Sequence, residues 1–584
     1  KFRRIKFKFK NSDQNWATLS EIAFYKKDDV SDKVDKLFTN GLMNELKTEY
    51  NSMEAISKIE EEINEHPLKE NLKINIEIAK DILNNVEINN ESIVTASQRG
   101  DANSQARKYK IARTSFSLET FGRYVVPGET IQVFVDADEK GVMPNLVLGQ
   151  LADGRNGWVR RYSLSPGLNT ITAPSYNDMK PAVVYIENGA LPNEQAYAPR
   201  VRLVGGTAFP VYYHGKTTPE EFERELEKYV EKISTNDDDF ANGVPKNVVY
   251  NVAELVSENN TISTSAAGAL RGIQELKSTG KTVSDTMDEW EIMWKEFQKI
   301  SGNFENSTDP TKFYNAKFTS RVFTKGPYGW SDWGYTGYNG GNSPRRDGGF
   351  FKDIVKPFSA PGNDAWAYFH EWGHNINNSS IEQLEVTNNI YSVIMRKLIN
   401  NSNDDRVDWD SLYKRFSGEK VNHGYWTYLG VLEQVQYYYG EDSYAKASNI
   451  ATINPDGVMD GLGSNLERLV VALSLATETD LTTFFEEWGY VKATDKMKEK
   501  VSHLSKPNVK LEYMNTIGRG YEGDGFSEDA KVDINSLKIN KENREISLTF
   551  DIDDANKDAS MGYEILRDGE VVGYTTRTSF VDKN

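Results

Sequence analysis

The chain has no cysteine, only 6 histidines and 18 prolines among 584 residues, and no run of eighteen apolar residues. Without cysteine there are neither disulfides nor thiolate ligands, so stability must come from packed cores and bound ions. That absence suits the cytosol and the outside of a bacterium equally. The lack of a long apolar run excludes a membrane-spanning helix. Positive charge is also short: 69 Lys and Arg against 87 Asp and Glu leave a net charge of −18. Nucleic acid, which needs a basic face, is therefore not expected as a partner. No signal-peptide pattern is found, and the opening Lys1-Phe2-Arg3, without methionine, reads as part of a longer chain.

Because histidine is scarce, its placement is informative. Two of the six stand in His370-Glu371-Trp372-Gly373-His374, a pattern that chance would produce in roughly one of 200 such chains. Four residues apart on a helix, both imidazoles leave one face and can reach one Zn²⁺, with Glu371 beside them as general base. Pro361-Gly362 ends the preceding segment, and Asn363 or Asp364 can cap an apolar helix starting near Ala365. The alternative is a pair of packed core histidines.

Glu382 and Glu385 compete as third ligand. Ser379 and Glu382 have capping-box spacing, which gives Glu382 a backbone role and leaves Glu385, one turn further into the next helix, for the metal. Two His, one Glu and an open fourth position make a catalytic rather than a structural zinc site. Zinc brings the pKa of its water from 15.7 toward about 7, and Glu371 would take that proton. His423 and Tyr428 are candidate oxyanion donors. The aromatic, glycine-rich stretch after Gly326 is the candidate substrate wall, with Trp330, Asp332, Trp333, Arg345, Arg346 and Asp347 as its contacts. Trp366 and Trp372 are expected in the core.

The pattern along the chain predicts a multidomain α+β protein. Residues 1–27 alternate as two strands, 28–99 are helical, and 100–205 form an antiparallel β-sandwich. Residues 206–510 are a mainly helical catalytic domain, and 511–584 a linker followed by a β module.

Trp366 to Ser392, including Val386-Thr387-Asn388-Asn389-Ile390-Tyr391-Ser392, resembles the enhancin-like, mucin-degrading zinc metallopeptidases, a gluzincin family that includes bacterial Zmp-type O-glycopeptidases. Leu481 to Gly489 adds to the resemblance, which covers roughly residues 100 to 510. The start of the chain resembles the end of a discoidin-like carbohydrate-binding sandwich, and Tyr563 to Phe580 a partial fibronectin type III-like module. The resemblance implies a secreted or cell-surface zinc metalloendopeptidase, monomeric, with one catalytic Zn²⁺. It also implies O-glycosylated partners such as mucins, cut beside a glycosylated Ser or Thr. A glycan-independent peptidase and an inactive mucin-binding adhesin are the alternatives; the intact H-E-x-x-H opposes the second.

Overall fold

The structure is a computed structural model. It describes residues 33–583 apart from 67–68, 88–90, 138–141, 150–158, 176–179, 193–197, 234–248, 304–312, 344, 420, 422–423, 517–530, 554–556 and 558. The strands expected within 1–27 lie outside the described residues.

Nine strands build the sandwich: β1 (Glu91–Thr95), β2 (Glu119–Val125), β3 (Thr130–Asp136), β4 (Asn145–Gly149), β5 (Val159–Ser163), β6 (Gly167–Thr172), β7 (Ala182–Glu187), β8 (Arg200–Val204) and β9 (Thr207–Ala208). They form two sheets, β1-β8-β3-β6 and β5-β4-β7-β2-β9. Alternation places Ile131, Val133 and Val135 of β3 in a shared core with Leu146 and Leu148 of β4 and Val184 and Ile186 of β7. The expected helical segment 28–99 is corrected at its end. Ile93-Val94-Thr95 is β-branched and pairs with β8, so it belongs to the sandwich. Two helices before it, Met53–Glu62 and Lys69–Leu83, bury Ile56, Ile59 and Ile76 against Phe134, which leaves the outer face of β3.

The segment 206–510, expected to be mainly helical, carries a sheet. Strands β10 (Val211–Tyr213), β11 (Ala253–Val256), β12 (Asn260–Thr264), β13 (Phe318–Phe323), β14 (Gly329–Asp332) and β15 (Tyr335–Asn339) lie in the order β10-β11-β12-β13-β15-β14. Every residue of β11, β12 and β13 is buried. With both faces covered they show no alternation, and short uniform runs do not separate strand from helix. Helices then dominate from Trp366 to Val501.

Sandwich and sheet share a seam. Tyr185 of β7 donates its hydroxyl to Glu254 of β11, which also accepts from Ser263 at 2.8 Å. Buried Lys317 pairs with Glu119 at 2.9 Å, and the Arg321 guanidinium lies over the Tyr335 ring. Burial pushes the Glu254 carboxyl up and the Lys317 ammonium down from their ordinary pKa values.

The C-terminal strands β16 (Val532–Asn540), β17 (Glu545–Ile552), β18 (Tyr563–Arg567), β19 (Glu570–Thr575) and β20 (Ser579–Lys583) form a three-stranded sheet, β16-β17-β20, and a hairpin, β18-β19. Tyr574 of the hairpin stacks on Tyr513 at 4.4 Å and meets Tyr413 edge-on at 4.6 Å.

Candidate metal centre

The motif helix spans Trp366–Ile376. Its N-cap is Ala365 in the left-handed region, not Asn363 or Asp364. Asn363 Oδ1 accepts from the Ala365 amide at 3.2 Å, while Asp364 is held by Arg396 and Arg406. On the buried side Trp372 stacks on Phe318 with ring centroids 3.7 Å apart, and its Nε1 donates to Ser320 at 2.9 Å. These contacts fix the helix to β13. On the opposite flank a Cβ at Gly373 would meet the Asn388 carbonyl at 2.5 Å. Glycine therefore lets the next helix, Thr387–Asn400, approach closely.

Glu385 does not lie inside a capped helix as expected. It precedes the helix at Thr387, with φ +63°. The Ser379–Glu382 capping box does not form because the Ser379 amide donates to the Lys110 carbonyl at 2.6 Å instead of to the Glu382 carboxylate. Asn465 donates to the carbonyls of Ser379 and Glu382 at 3.1 Å, and Arg468 to that of Ser380 at 2.8 Å. The Glu382 carboxylate faces Arg113 at 3.8 Å.

Glu385 nevertheless reaches both rings: its carboxylate lies 3.1 Å from His370 Nε2 and 3.5 Å from His374 Nε2. Donors about 2.0–2.1 Å from a tetrahedral zinc stand about 3.4 Å apart, so these separations suit a two-nitrogen, one-oxygen zinc site. Glu371 also lies within 4.8 Å of the two imidazoles, so distance alone admits either carboxylate. Their surroundings separate them. Glu385 touches both Nε2 atoms and is half-exposed, whereas Glu371 is buried.

Two hydrogen bonds from the imidazoles hold the Glu385 carboxyl far below the usual carboxylate range, against the opposing effect of burial. Burial disfavours charge on both rings. At His374 it prevails and lowers the pKa, while at His370 the Glu385 bond outweighs it and raises the pKa. Glu371 is pushed up to about 7, chiefly by burial.

With a metal ion on Nε2, the His370 ring would carry its proton on Nδ1, where Asn389 Oδ1 stands 2.7 Å away to accept it. Asn389 Oδ1 also accepts from Trp366 Nε1 at 3.2 Å, and its Nδ2 donates to the Glu385 carbonyl at 2.9 Å. Asn388 and Asn389 follow Glu385 by three and four residues. That helical spacing was the available signal, and sequence reasoning gave them no role. Arg113 was also missed. It donates to the His374 carbonyl at 3.0 Å from the segment that leads into the sandwich.

The remaining candidates scatter. His423 lies outside the described residues. Tyr428 packs edge-on against Tyr490 at 5.0 Å. Trp330 is only 6 % exposed and fills a cluster with Phe323 and Tyr335. Asp332 accepts from the Trp333 amide at 2.8 Å, and Trp333 is exposed beside Arg161 and Asn103, along a different cavity. The Arg345 carbonyl accepts from Asn251 at 3.1 Å, buried Arg346 accepts at its carbonyl from Ser265, and Asp347 faces Arg271 at 3.5 Å. The cleft beside His370 and Glu371, about 520 Å³, is instead lined by Tyr328, Trp366, Arg406 and Trp426. Trp366 is thus buried as expected, yet it also lines the cleft. A larger cavity of about 760 Å³ lies between sandwich and sheet, and its Lys317 and Arg99 are already committed to protein partners.

Residues 205–489 match the family described as peptidase M60, enhancin and enhancin-like. Among solved structures, the CBM32-1, CBM32-2 and M60 catalytic domains of Clostridium perfringens ZmpB are 30% identical over 97% of this chain, with a TM-score of 0.77. The chain spans 58% of that structure's length. The M60 catalytic domain of C. perfringens ZmpC, solved with the sialyl T antigen, is 26% identical over 84% of this chain and 94% of its own, with a TM-score of 0.68. A metallopeptidase from Bacteroides thetaiotaomicron shares the fold at 16% identity, covering 96% of each chain with a TM-score of 0.64. No curated protein matches the chain significantly. The metal-facing cluster therefore sits within residues 205–489, and that segment is a member of the enhancin-like M60 peptidase family.

Proposed function

We propose that the chain is a zinc metalloendopeptidase, secreted or held at a bacterial surface, that cuts mucin-type O-glycoproteins beside a glycosylated Ser or Thr. His370, His374 and Glu385 hold the ion, and Glu371 is the general base. One observation supports this most: the Glu385 carboxylate meets both Nε2 atoms at 3.1 and 3.5 Å while a second, buried carboxylate stands beside them. When bound, zinc supplies Lewis acidity toward a scissile carbonyl and makes a water acidic near neutral pH.

The chain's own residues do the rest. Glu371, raised to about 7 by burial, accepts a proton at its carboxylate and returns it to the leaving amine. Asn389 keeps the His370 ring turned, and Trp372 anchors the helix to the sheet. Tyr328 and Trp426 line the cleft, as aromatic side chains commonly do in sites that bury organic ligands. The ZmpC structure with sialyl T antigen supports a glycan as part of the substrate.

The test pairs an O-glycosylated peptide with its bare counterpart, with and without chelator. Cleavage of the glycosylated form alone, abolished by chelator, is expected. Cleavage of both removes the glycan requirement, and cleavage of neither removes the peptidase. Glu371→Gln should retain zinc and lose on the order of 10²–10⁴-fold in kcat. Full turnover in that variant would discard Glu371 as base.

A further inference from the structure

Gly329 opens β14, the edge strand of the catalytic sheet, opposite Tyr338 of β15. A Cβ built there would lie 2.8 Å from Glu371 Oε1, 3.1 Å from its Cγ and 3.3 Å from its Cδ. The strand's bare backbone is therefore one wall of the Glu371 carboxylate's place. The other surroundings are fixed. The next residue, Trp330, is wedged into a cluster with Phe323 and Tyr335, and its ring lies where a Cβ of Gly326 or Gly337 would be. Trp372, beside Glu371 on the helix, is stacked on Phe318. Neither strand nor helix can withdraw cheaply, so an added methyl must displace the Glu371 side chain itself.

Backbone strain does not explain this glycine. Its φ is outside the left-handed region that Gly326 and Gly334 occupy, so alanine is allowed there conformationally. We infer that Gly329 is a positioning residue for the reaction: the missing side chain sets the rotamer and reach of the Glu371 carboxylate. This rests on Glu371 being the base, as proposed above. Displacing a catalytic group by about 1 Å can cost on the order of a hundredfold in rate.

The experiment is Gly329→Ala in the whole chain, read by kcat, KM, bound zinc and melting temperature. The expected result is a fall in kcat of about tenfold to a hundredfold with KM within about twofold and zinc content unchanged. Wild-type kcat in a folded variant overturns the inference. A second arm holds even if Gly329→Ala is poorly stable or inactive. In a Glu371→Ala background the methyl has nothing to strike, so adding Gly329→Ala should leave melting temperature and zinc content where Glu371→Ala alone puts them. Equal loss of stability in both backgrounds overturns it. Full activity of Glu371→Gln would instead remove the base assignment, a separate outcome.

Discussion

Asn389 holds two of the metal-facing residues at once: its Oδ1 lies 2.7 Å from His370 Nδ1, and its Nδ2 donates to the Glu385 carbonyl at 2.9 Å. One amide thus fixes a ring orientation and secures a left-handed backbone. Asn389→Ala is expected to weaken zinc binding about 10–100-fold. Competition with a chromogenic chelator measures this, and an unchanged affinity would show that the ring needs no such support.

Gly373→Ala should be damaging for a different reason. The new Cβ would sit 2.5 Å from the Asn388 carbonyl, pushing apart the helices that carry His370, His374 and Asn389. The expected cost is about 1–3 kcal/mol of stability, with reduced zinc content. Thermal melts with and without zinc test it; a variant as stable and as metal-loaded as the parent would contradict it.

The two tryptophans Trp330 and Trp426 should part company. Trp330→Ala empties a packed cluster and is expected to cost about 3–5 kcal/mol. Trp426 is 38 % exposed at the cleft, so Trp426→Ala should change stability little and raise KM for the glycosylated peptide. Denaturant melts and initial rates on both variants decide the matter, and a normal KM for Trp426→Ala would take that ring off the substrate path.

Glu275 supplies a pH signature away from the site. Burial would raise its pKa, but Lys352 at 2.8 Å and Lys356 bring it down to about 2, below the ordinary 4.5. The folded state then binds fewer protons than the unfolded one between those values, so stability rises with pH across that window. Its contribution is complete above about 4.5 and fades as pH falls toward about 2. The gap in melting temperature between parent and Glu275→Gln should therefore shrink on acidification. A gap that is constant from pH 6 to pH 2.5 would refute this.

The metal-facing set was legible because helical spacing alone puts His370 and His374 on one face, and because few histidines compete with them. Glu385 was chosen for a wrong local reason. The capping box that excluded Glu382 does not exist, since the Ser379 amide is taken by the carbonyl of Lys110, far earlier in the chain. No local pattern reports that. Strands β11 to β13 were hidden because burial on both faces erases alternation. The substrate wall failed at Trp330 for a related reason. Glycines that let a chain approach a ligand serve equally to seat an indole, and here Gly326 and Gly337 do so.

The seam between sandwich and sheet bears on how the molecule can be dissected. The family match opens at residue 205, after nearly all of the sandwich. A shortened protein beginning there would lose Glu119 and Tyr185, leaving the Lys317 ammonium without its carboxylate, the Glu254 carboxyl without the Tyr185 hydroxyl, and Val211 and Val252 without the sandwich half of their cluster. A boundary drawn at residue 205 therefore cuts through buried contacts, and a cut made before Glu91 leaves them whole.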